Sequence, residues 1–183
     1  MAALVGHDAR MTPQRDSDSL ERADLVASLD KHRGFLRHTL RNVSDDDAAR
    51  RTTVSELSLG GIVKHVTMTE ERWVGFIERG PDVIGPADAS QMQAHAASFR
   101  MEPGETVASL LDRYDEVAKR TDELVGALDS LDASHPLPVA PWFEPGGRWS
   151  ARRVLLHILA ETAQHAGHAD IVREALDGAK TMG

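Results

Sequence analysis

Four residues able to bind a metal ion occur in one short segment, LLHILAETAQHAGHADIVRE: His157, Glu161, His165 and His168. Their spacings of four, four and three place the side chains on one stripe of an α-helix, in which successive residues rotate by about 100°. Imidazole nitrogens and carboxylate oxygens are ligands of borderline divalent ions such as zinc. The segment therefore predicts part of a metal site.

A third ligand has to come from another part of the chain, and His65 is the best candidate. It lies among Ile62, Val66 and Thr69 on the apolar face of a second predicted helix. Metal sites in helical bundles are commonly built from core-facing side chains of facing helices. On spacing alone, any adjacent two of the four residues in the first segment could complete the site with His65.

The competing interpretation is that these histidines are surface residues or hydrogen-bonded core residues, since most histidines bind no metal. Glu161 fits that interpretation poorly, because an unpaired carboxylate on the inner side of an amphipathic helix is costly to bury. Arg152 and Arg153 lie too far toward the start of the same helix to pair with it comfortably. A bound cation would remove the cost, so the pattern favours a metal site.

The composition restricts the ligands and the class of protein. The chain has 183 residues, no cysteine and a formal net charge of −8. Any site must therefore be built from His, Asp and Glu. The 21 Lys and Arg are scattered among the 29 Asp and Glu, which argues against binding to nucleic acid. No apolar run approaches the roughly 20 residues that span a bilayer, and no secretory signal is recognisable, so we expect a cytoplasmic protein without a membrane partner.

The elements that must position these residues are helices. Four long segments carry apolar residues at helical spacing and none shows sustained alternation, which predicts an all-α four-helix bundle. The helices are expected near residues 18–41, 58–80, 107–128 and 150–176. Ser58 and Ser150 are the predicted N-caps, and Gly80 and Gly178 the predicted stops. We expect residues 1–17 to form a flexible arm, 18–178 a single domain and 179–183 a tail.

Two long connections separate the helices. Residues 81–104 are irregular and long enough to cross the bundle, although MQAHAASF can form a short helix. Residues 131–148 are rich in Pro and Gly and cannot be a helix interior. Gly60 and Gly61 near the start of the second helix indicate close backbone packing. The buried face of the first helix is predicted to consist of Leu25, Leu29, His32, Leu36 and Leu40.

The segments LSLGGIVKHVTMTEERWVGFIERG and WSARRVLLHILAETAQHAGHADIVRE together resemble the two signature helices of the DinB-like superfamily. These metal-binding four-helix bundles include the mycothiol-dependent maleylpyruvate isomerases. The resemblance spans residues 18–177 and implies that His65 joins Glu161 and His165 as metal ligands. Many members have His at the position of Glu161, whereas the isomerase type has Glu followed four residues later by His. Glu70 and Trp73 also occupy family-like positions.

Three protein ligands leave an open position, which is typical of a catalytic zinc site. Zinc is the expected ion, with nickel, iron and manganese as alternatives that accept the same ligands. The resemblance implies that a low-molecular-weight thiol such as mycothiol is activated there, and water is the alternative nucleophile. We expect an enzyme that catalyses transfer, isomerisation or hydrolysis of a small electrophilic substrate. The alternative is a non-catalytic, stress-associated bundle in which the ion is structural.

The remaining candidates are expected to support the ligands or to line a substrate pocket. His157 and His168 fall outside the inferred ligand set, and we group them with Glu70 and Trp73. In the long loop before the last helix, Trp142 is a candidate pocket wall, and Arg148 is a candidate partner for a carboxylate of the substrate or cofactor. Bundles of this kind also associate through exposed helix faces, so a homodimer is an expected assembly.

Overall fold

Four long helices dominate the computed structural model, which describes residues 13–85 and 88–181. The predicted all-α class and the four long helices are confirmed. In chain order the elements are α1 (Pro13–Thr39), α2 (Asp45–Ala49), α3 (Leu59–Arg79), a 3-10 turn (Pro81–Val83), α4 (Ala89–Ser98), α5 (Val107–Ala127), β1 (Ser134–Pro136), β2 (Arg148–Ser150) and α6 (Ala151–Asp177). β1 and β2 form an antiparallel hairpin that precedes α6.

The helix boundaries follow the predicted capping residues. Ser58 and Ser150 each accept a hydrogen bond from the backbone N–H three residues further on, which satisfies one otherwise unpaired donor. Gly80 and Gly178 end α3 and α6 with φ of 84° and 80°. Helix α1 begins at Pro13, earlier than expected, while residues 1–12 of the predicted arm and 182–183 of the predicted tail lie outside the described residues.

None of the described helices is both long and apolar enough to cross a membrane.

The four long helices pack in a ring in which α1 contacts α6, α6 contacts α3, α3 contacts α5 and α5 contacts α1. Ion pairs show the direction of the helices: Arg113 pairs with Glu71 and Arg120 with Glu78, so residue numbers rise together along α5 and α3. Parallel neighbours require the chain to return along the bundle between them. The predicted long crossover connection is therefore confirmed, and it contains α4.

Two apolar clusters form the core, one toward each end of the bundle. The first includes Leu25 and Leu29 of α1 with the second half of α3 and the first half of α6. The second includes Leu36 and Leu40 with the first half of α3 and the second half of α6. The division is expected for a core whose middle layer is polar, because polar groups need partners of their own.

A buried ion pair occupies this middle layer. The side chains of Arg33 and Glu70 are 1% and 0% exposed, and the guanidinium contacts both carboxylate oxygens, with Nε 3.4 Å from Oε2. Arg33 Nη1 also donates to Asp122 Oδ1 at 2.9 Å, and Thr121 Oγ1 donates to Glu70 Oε1 at 2.6 Å. Each buried charge is therefore satisfied, without which burial would cost several kcal/mol.

Helix α1 is rotated slightly from the predicted orientation. The four leucines of its predicted inner face are buried, but His32 is only partly buried. Arg33 takes its place: it follows Leu29 by four residues and precedes Leu36 by three, so it shares their face. The prediction failed here because arginine is rarely fully buried, and only Glu70 on another helix makes the position tolerable.

The glycine pair at the start of α3 does mark a close backbone approach, as predicted. A Cβ on Gly61 would lie 1.8 Å from the Phe99 carbonyl oxygen, and one on Gly60 would lie 2.2 Å from Met101 Sδ. Any side chain at Gly61 would therefore push the end of α4 away from α3. With glycine present, the Phe99 ring stacks on His65 with centroids 3.9 Å apart. The glycines thus determine which residues surround His65.

Replacing Glu70 with Ala is expected to lower the free energy of unfolding by about 3 kcal/mol, because Arg33 would keep only the partly exposed Asp122 as a charged partner. Urea unfolding followed by circular dichroism measures the change. Glu71 is the matched control, since its pair with Arg113 is exposed. Glu71→Ala should cost no more than about 1 kcal/mol. Equal losses in the two variants would contradict the structural role of the buried pair.

Candidate metal centre

Helices α3 and α6 bring the three predicted ligands together. Residue numbers run in opposite directions along these neighbours, since His65 contacts His165 while Trp73 contacts His157. Glu161 and His165 are one turn apart on α6 and so project from the same face. One ligand atom from each of His65, Glu161 and His165 lies within 4.8 Å of the others.

These donors suit a divalent ion. Nitrogen and oxygen ligands lie about 2.0–2.2 Å from zinc, so ligand atoms of a tetrahedral site are roughly 3.5 Å apart. The observed separations of up to 4.8 Å are slightly larger, and small side-chain rotations would close them. Two imidazoles and one carboxylate form a donor set that leaves a coordination position open. The residues therefore fit a divalent ion bound at an open site.

Hydrogen bonds from α4 select one tautomer of His65. Its Nδ1 lies 2.8 Å from Ser98 Oγ, and the Ser98 hydroxyl donates to the carbonyl oxygen of His95 at 2.6 Å. Because that single hydroxyl hydrogen is used, Ser98 Oγ accepts its second hydrogen bond from His65 Nδ1–H. A neutral imidazole protonated on Nδ1 carries its lone pair on Nε2. Ser98 thus leaves the lone pair of His65 on Nε2, which lies 3.5 Å from Thr69 Oγ1 and is the nitrogen able to bind a metal.

The protonation states of His65 and Glu161 also favour binding of a cation. Burial, together with the nearby His165 and His95, lowers the pKa of His65 to about 4, so its ring is neutral near pH 7. The imidazole of His165, whose Nε2 is 3.6 Å from Glu161 Oε2, lowers the pKa of Glu161 and keeps the carboxylate ionised. No Lys or Arg among the described residues pairs with Glu161. A bound cation would supply the charged partner that this half-buried carboxylate lacks.

His168 contacts a ligand and lies outside the pocket lining. Its Nδ1 is 3.4 Å from Nδ1 of His165, while Nε2 of His165 faces Glu161. The two nitrogens of His165 therefore have different neighbours. Such a contact can hold a ligating imidazole in one orientation. The supporting role of His168 stays a prediction.

A cavity of about 480 Å³ is lined by two of the three residues, His65 and Glu161. This volume is within the range of small-molecule sites. Helix α3 contributes His65, Arg72 and Trp73 to its lining, and α6 contributes His157 and Glu161. Because two of the three potential ligands form part of the wall, an ion held by them would be accessible to a small molecule in the cavity.

Three other predicted residues line this cavity. Trp73 is buried, and the ring of His157 lies edge-on to it and to Trp149, with centroids 4.9 and 5.1 Å apart. Burial lowers the pKa of His157, which favours its neutral form. Trp142 lies at the same cavity and is 65% exposed. Trp73 and Trp142 therefore present apolar ring surface to a bound molecule.

Two predicted residues do not line the cavity. Glu70 lies in the core against Arg33, because five residues on a helix rotate it by about 140° from His65. Arg148 is exposed on the β-hairpin, where its Nη2 donates to the carbonyl oxygen of Ser134 at 2.6 Å. The expectation that they line the pocket was therefore wrong, because the rotation of α3 turns Glu70 toward Arg33 and the pairing of β1 with β2 engages Arg148. The alternative, that they support the ligands, stays a prediction.

Sequence reasoning missed three residues around the site. Ser98 and His95 come from α4, whose mostly exposed residues give no pattern that indicates contact with His65. Arg72 was detectable, because it follows His65 by seven residues and therefore lies on the same face of α3, two turns away. It was overlooked because arginines on helices are usually exposed to solvent.

Comparisons with known proteins agree with the observed fold. A solved structure described as a conserved protein from Enterococcus faecalis superposes with a TM-score of 0.58, covering 85% of this chain and 96% of that chain. The two are 12% identical, so the likeness concerns the fold alone. No curated protein matches the chain at a significant level.

The family model described as mycothiol-S-transferase matches residues 24–178. This region contains α3, α4, α5, α6 and residues 24–39 of α1, and thus every residue of the candidate site. The resemblance to DinB-like proteins is confirmed by this match. The chain belongs to the mycothiol-S-transferase family.

Proposed function

We propose that this protein is a divalent-metal-dependent transferase that joins the sulfur of mycothiol, or of a related low-molecular-weight thiol, to a small electrophilic substrate. The observation that carries the proposal is the convergence of His65, Glu161 and His165, two of which, His65 and Glu161, line a 480 Å³ cavity. Membership of the mycothiol-S-transferase family supports a thiol as the nucleophile. Zinc is the ion we expect.

His65 and Glu161 are prepared for metal binding by their surroundings. His65 is neutral, and Ser98 directs its lone pair to Nε2, so no proton has to leave this ring before it binds. Glu161 is ionised and supplies the negative charge of the donor set. A divalent ion held there would lower the pKa of a coordinated thiol and so make its sulfur nucleophilic near neutral pH.

The cavity wall supports transfer to a thiol in preference to hydrolysis. Trp73, Trp142 and Phe143 give it a large aromatic surface, and His157 is held between Trp73 and Trp149. An apolar wall disfavours water, which would compete with the thiol for the electrophile. The same surface would contact the organic part of the substrate.

Elemental analysis of zinc-loaded and desalted protein tests the ligand assignment. We expect about one zinc per chain in the wild type and far less in His65→Ala, Glu161→Ala and His165→Ala, because losing one of three ligands weakens the site severely. His38→Ala is the control, since His38 is exposed on α1. A wild type that binds much less than one zinc would refute the metal site, and full retention in His65→Ala would refute the α3 ligand.

Ser98→Ala should weaken zinc binding by about 10- to 100-fold, because the hydrogen bond that selects the His65 tautomer is lost. Competition with a chromophoric chelator measures the affinity. Ser90→Ala on the exposed start of α4 removes a hydroxyl from the same helix and should leave the affinity unchanged. If Ser98→Ala bound zinc as tightly as the wild type, Ser98 would not orient His65.

The transfer reaction can be followed with mycothiol and 1-chloro-2,4-dinitrobenzene. The thiol sulfur forms a bond to the ring carbon, chloride leaves and the thiol proton is released, so the thioether is measured by absorbance. Removal of zinc by a chelator, or Glu161→Ala, should lower the rate by about 100-fold or more, the scale expected when a main stabilising group is lost.

Circular dichroism of the chelator-treated protein distinguishes a catalytic role of the ion from a purely structural one. We expect the apo protein to stay folded, because two apolar clusters and the Arg33–Glu70 pair hold the bundle without the ion. Unfolding on chelation, together with inactivity toward every low-molecular-weight thiol tried, would favour an ion that only braces the helices.

A further inference from the structure

Arg72 is a cation within the cavity that the proposed transfer reaction does not use. It lies seven residues after His65 on α3, which is about 10 Å along the helix axis. Both residues line the 480 Å³ cavity, and both also border an adjoining cavity of about 210 Å³. Arg72 therefore borders two adjoining cavities and lies two helical turns from the candidate metal site.

The charge of Arg72 has no acidic partner in the part of the chain that the structure describes. Its Nη2 donates to the carbonyl oxygen of Ile84 and to the side-chain oxygen of Gln91, both of which are neutral. Among the same residues, its Nε and Nη1 groups have no hydrogen-bond acceptor. By contrast, the fully buried Arg33 has both Glu70 and Asp122.

A partly buried cation held only by neutral acceptors lacks the charged partner that would offset its desolvation. Burial lowers the pKa of Arg72, in keeping with this unfavourable environment. A guanidinium presents a planar fork of N–H donors that matches a carboxylate. The unused donors of Arg72 are thus suited to a carboxylate of a molecule bound in the cavity.

The charged residues that line the cavity also favour one orientation of such a bound molecule. Among its described lining residues, Arg72 is the only Lys or Arg and Glu161 the only acid. In the metal-free protein a ligand carboxylate is attracted to Arg72 and repelled from Glu161. In the loaded protein the thiol would take the open position of the ion, so the carboxylate again binds at Arg72, away from the metal ligands. The rest of the molecule then extends toward His65 and Glu161, where the thiol would be activated.

We infer that Arg72 anchors a carboxylate of the electrophilic substrate, which places the electrophilic carbon at the metal site within about 10 Å of that carboxylate. The inference rests on the proposed function, because it takes the cavity as the substrate site. Mycothiol carries no free carboxylate, so the anion belongs to the molecule that accepts the sulfur. The preferred substrates are therefore small carboxylic acids with an electrophilic carbon.

Quenching of tryptophan fluorescence tests this anchor without metal or thiol, because Trp73 and Trp142 line the cavity. The probes are 3,5-dinitrobenzoate and its neutral counterpart 1,3-dinitrobenzene, titrated into chelator-treated protein. We expect the wild type to bind the benzoate roughly 10- to 100-fold more tightly, and Arg72→Gln to lose this preference while binding 1,3-dinitrobenzene as before. Arg79→Gln, an exposed arginine on the same helix, should behave as the wild type.

Arg72→Lys controls for a structural role of Arg72, since it retains the charge and gives up the planar fork that contacts Ile84 and Gln91. It should keep a preference for the benzoate. Equal binding of both probes to the wild type, equal weakening of both by Arg72→Gln, or loss of the preference in Arg72→Lys would overturn the inference.

Kinetic measurements on zinc-loaded protein with mycothiol then test whether Arg72 affects the transfer reaction. With 4-chloro-3,5-dinitrobenzoate as substrate, Arg72→Gln should lower kcat/KM roughly 10- to 100-fold, and with 1-chloro-2,4-dinitrobenzene it should change little. Equal losses with the two electrophiles would overturn the assignment. Selective binding of 3,5-dinitrobenzoate without transfer to either electrophile would refute the proposed function and still support Arg72 as a carboxylate site.

Discussion

The buried pair of Arg33 and Glu70 determines how the central helices face one another. Glu70 can meet Arg33 only in one rotation of α3 about its axis. In that rotation His65, five residues earlier and turned by about 140°, faces α6. Replacing such a pair by apolar residues need not reduce stability, so its role lies in the alignment of the helices. The orientation of the candidate ligand His65 thus depends on a salt bridge that contacts none of the three candidate ligands.

The candidate site combines a rigid half with a half supplied by the crossover. The three potential metal ligands lie on the long helices α3 and α6, where packing on both apolar clusters restricts them. Ser98 and Gln91 come from α4, which is short and mostly exposed, and they contact His65 and Arg72. Gly61 makes this combination possible, because its missing side chain admits the backbone of Phe99. The crossover therefore supplies side chains to the candidate site, in addition to connecting α3 to α5.

Local sequence signals predicted the helices and part of the site for clear physical reasons. Ser58, Ser150, Gly80 and Gly178 satisfy or release the backbone groups at helix ends, and such interactions are local. The spacing of Glu161 and His165 places them on one face in any helix. The position of His65 on the apolar face of its helix made it the best candidate for the third ligand, and the resemblance to a known family supported that choice. No local rule relates positions on two helices.

The sequence by itself determined the all-α class, the four helix positions and the common helix face of Glu161 and His165, because helical periodicity and capping act within a few residues. Only the tertiary structure decided that Arg33 is buried, that Ser98 orients His65, and that Glu70 serves the core. Each of these depends on a partner far away in the chain, whose distance and direction follow from the packing of whole helices. The tertiary structure alone likewise showed that the Nε and Nη1 groups of Arg72 have no hydrogen-bond acceptor among the described residues.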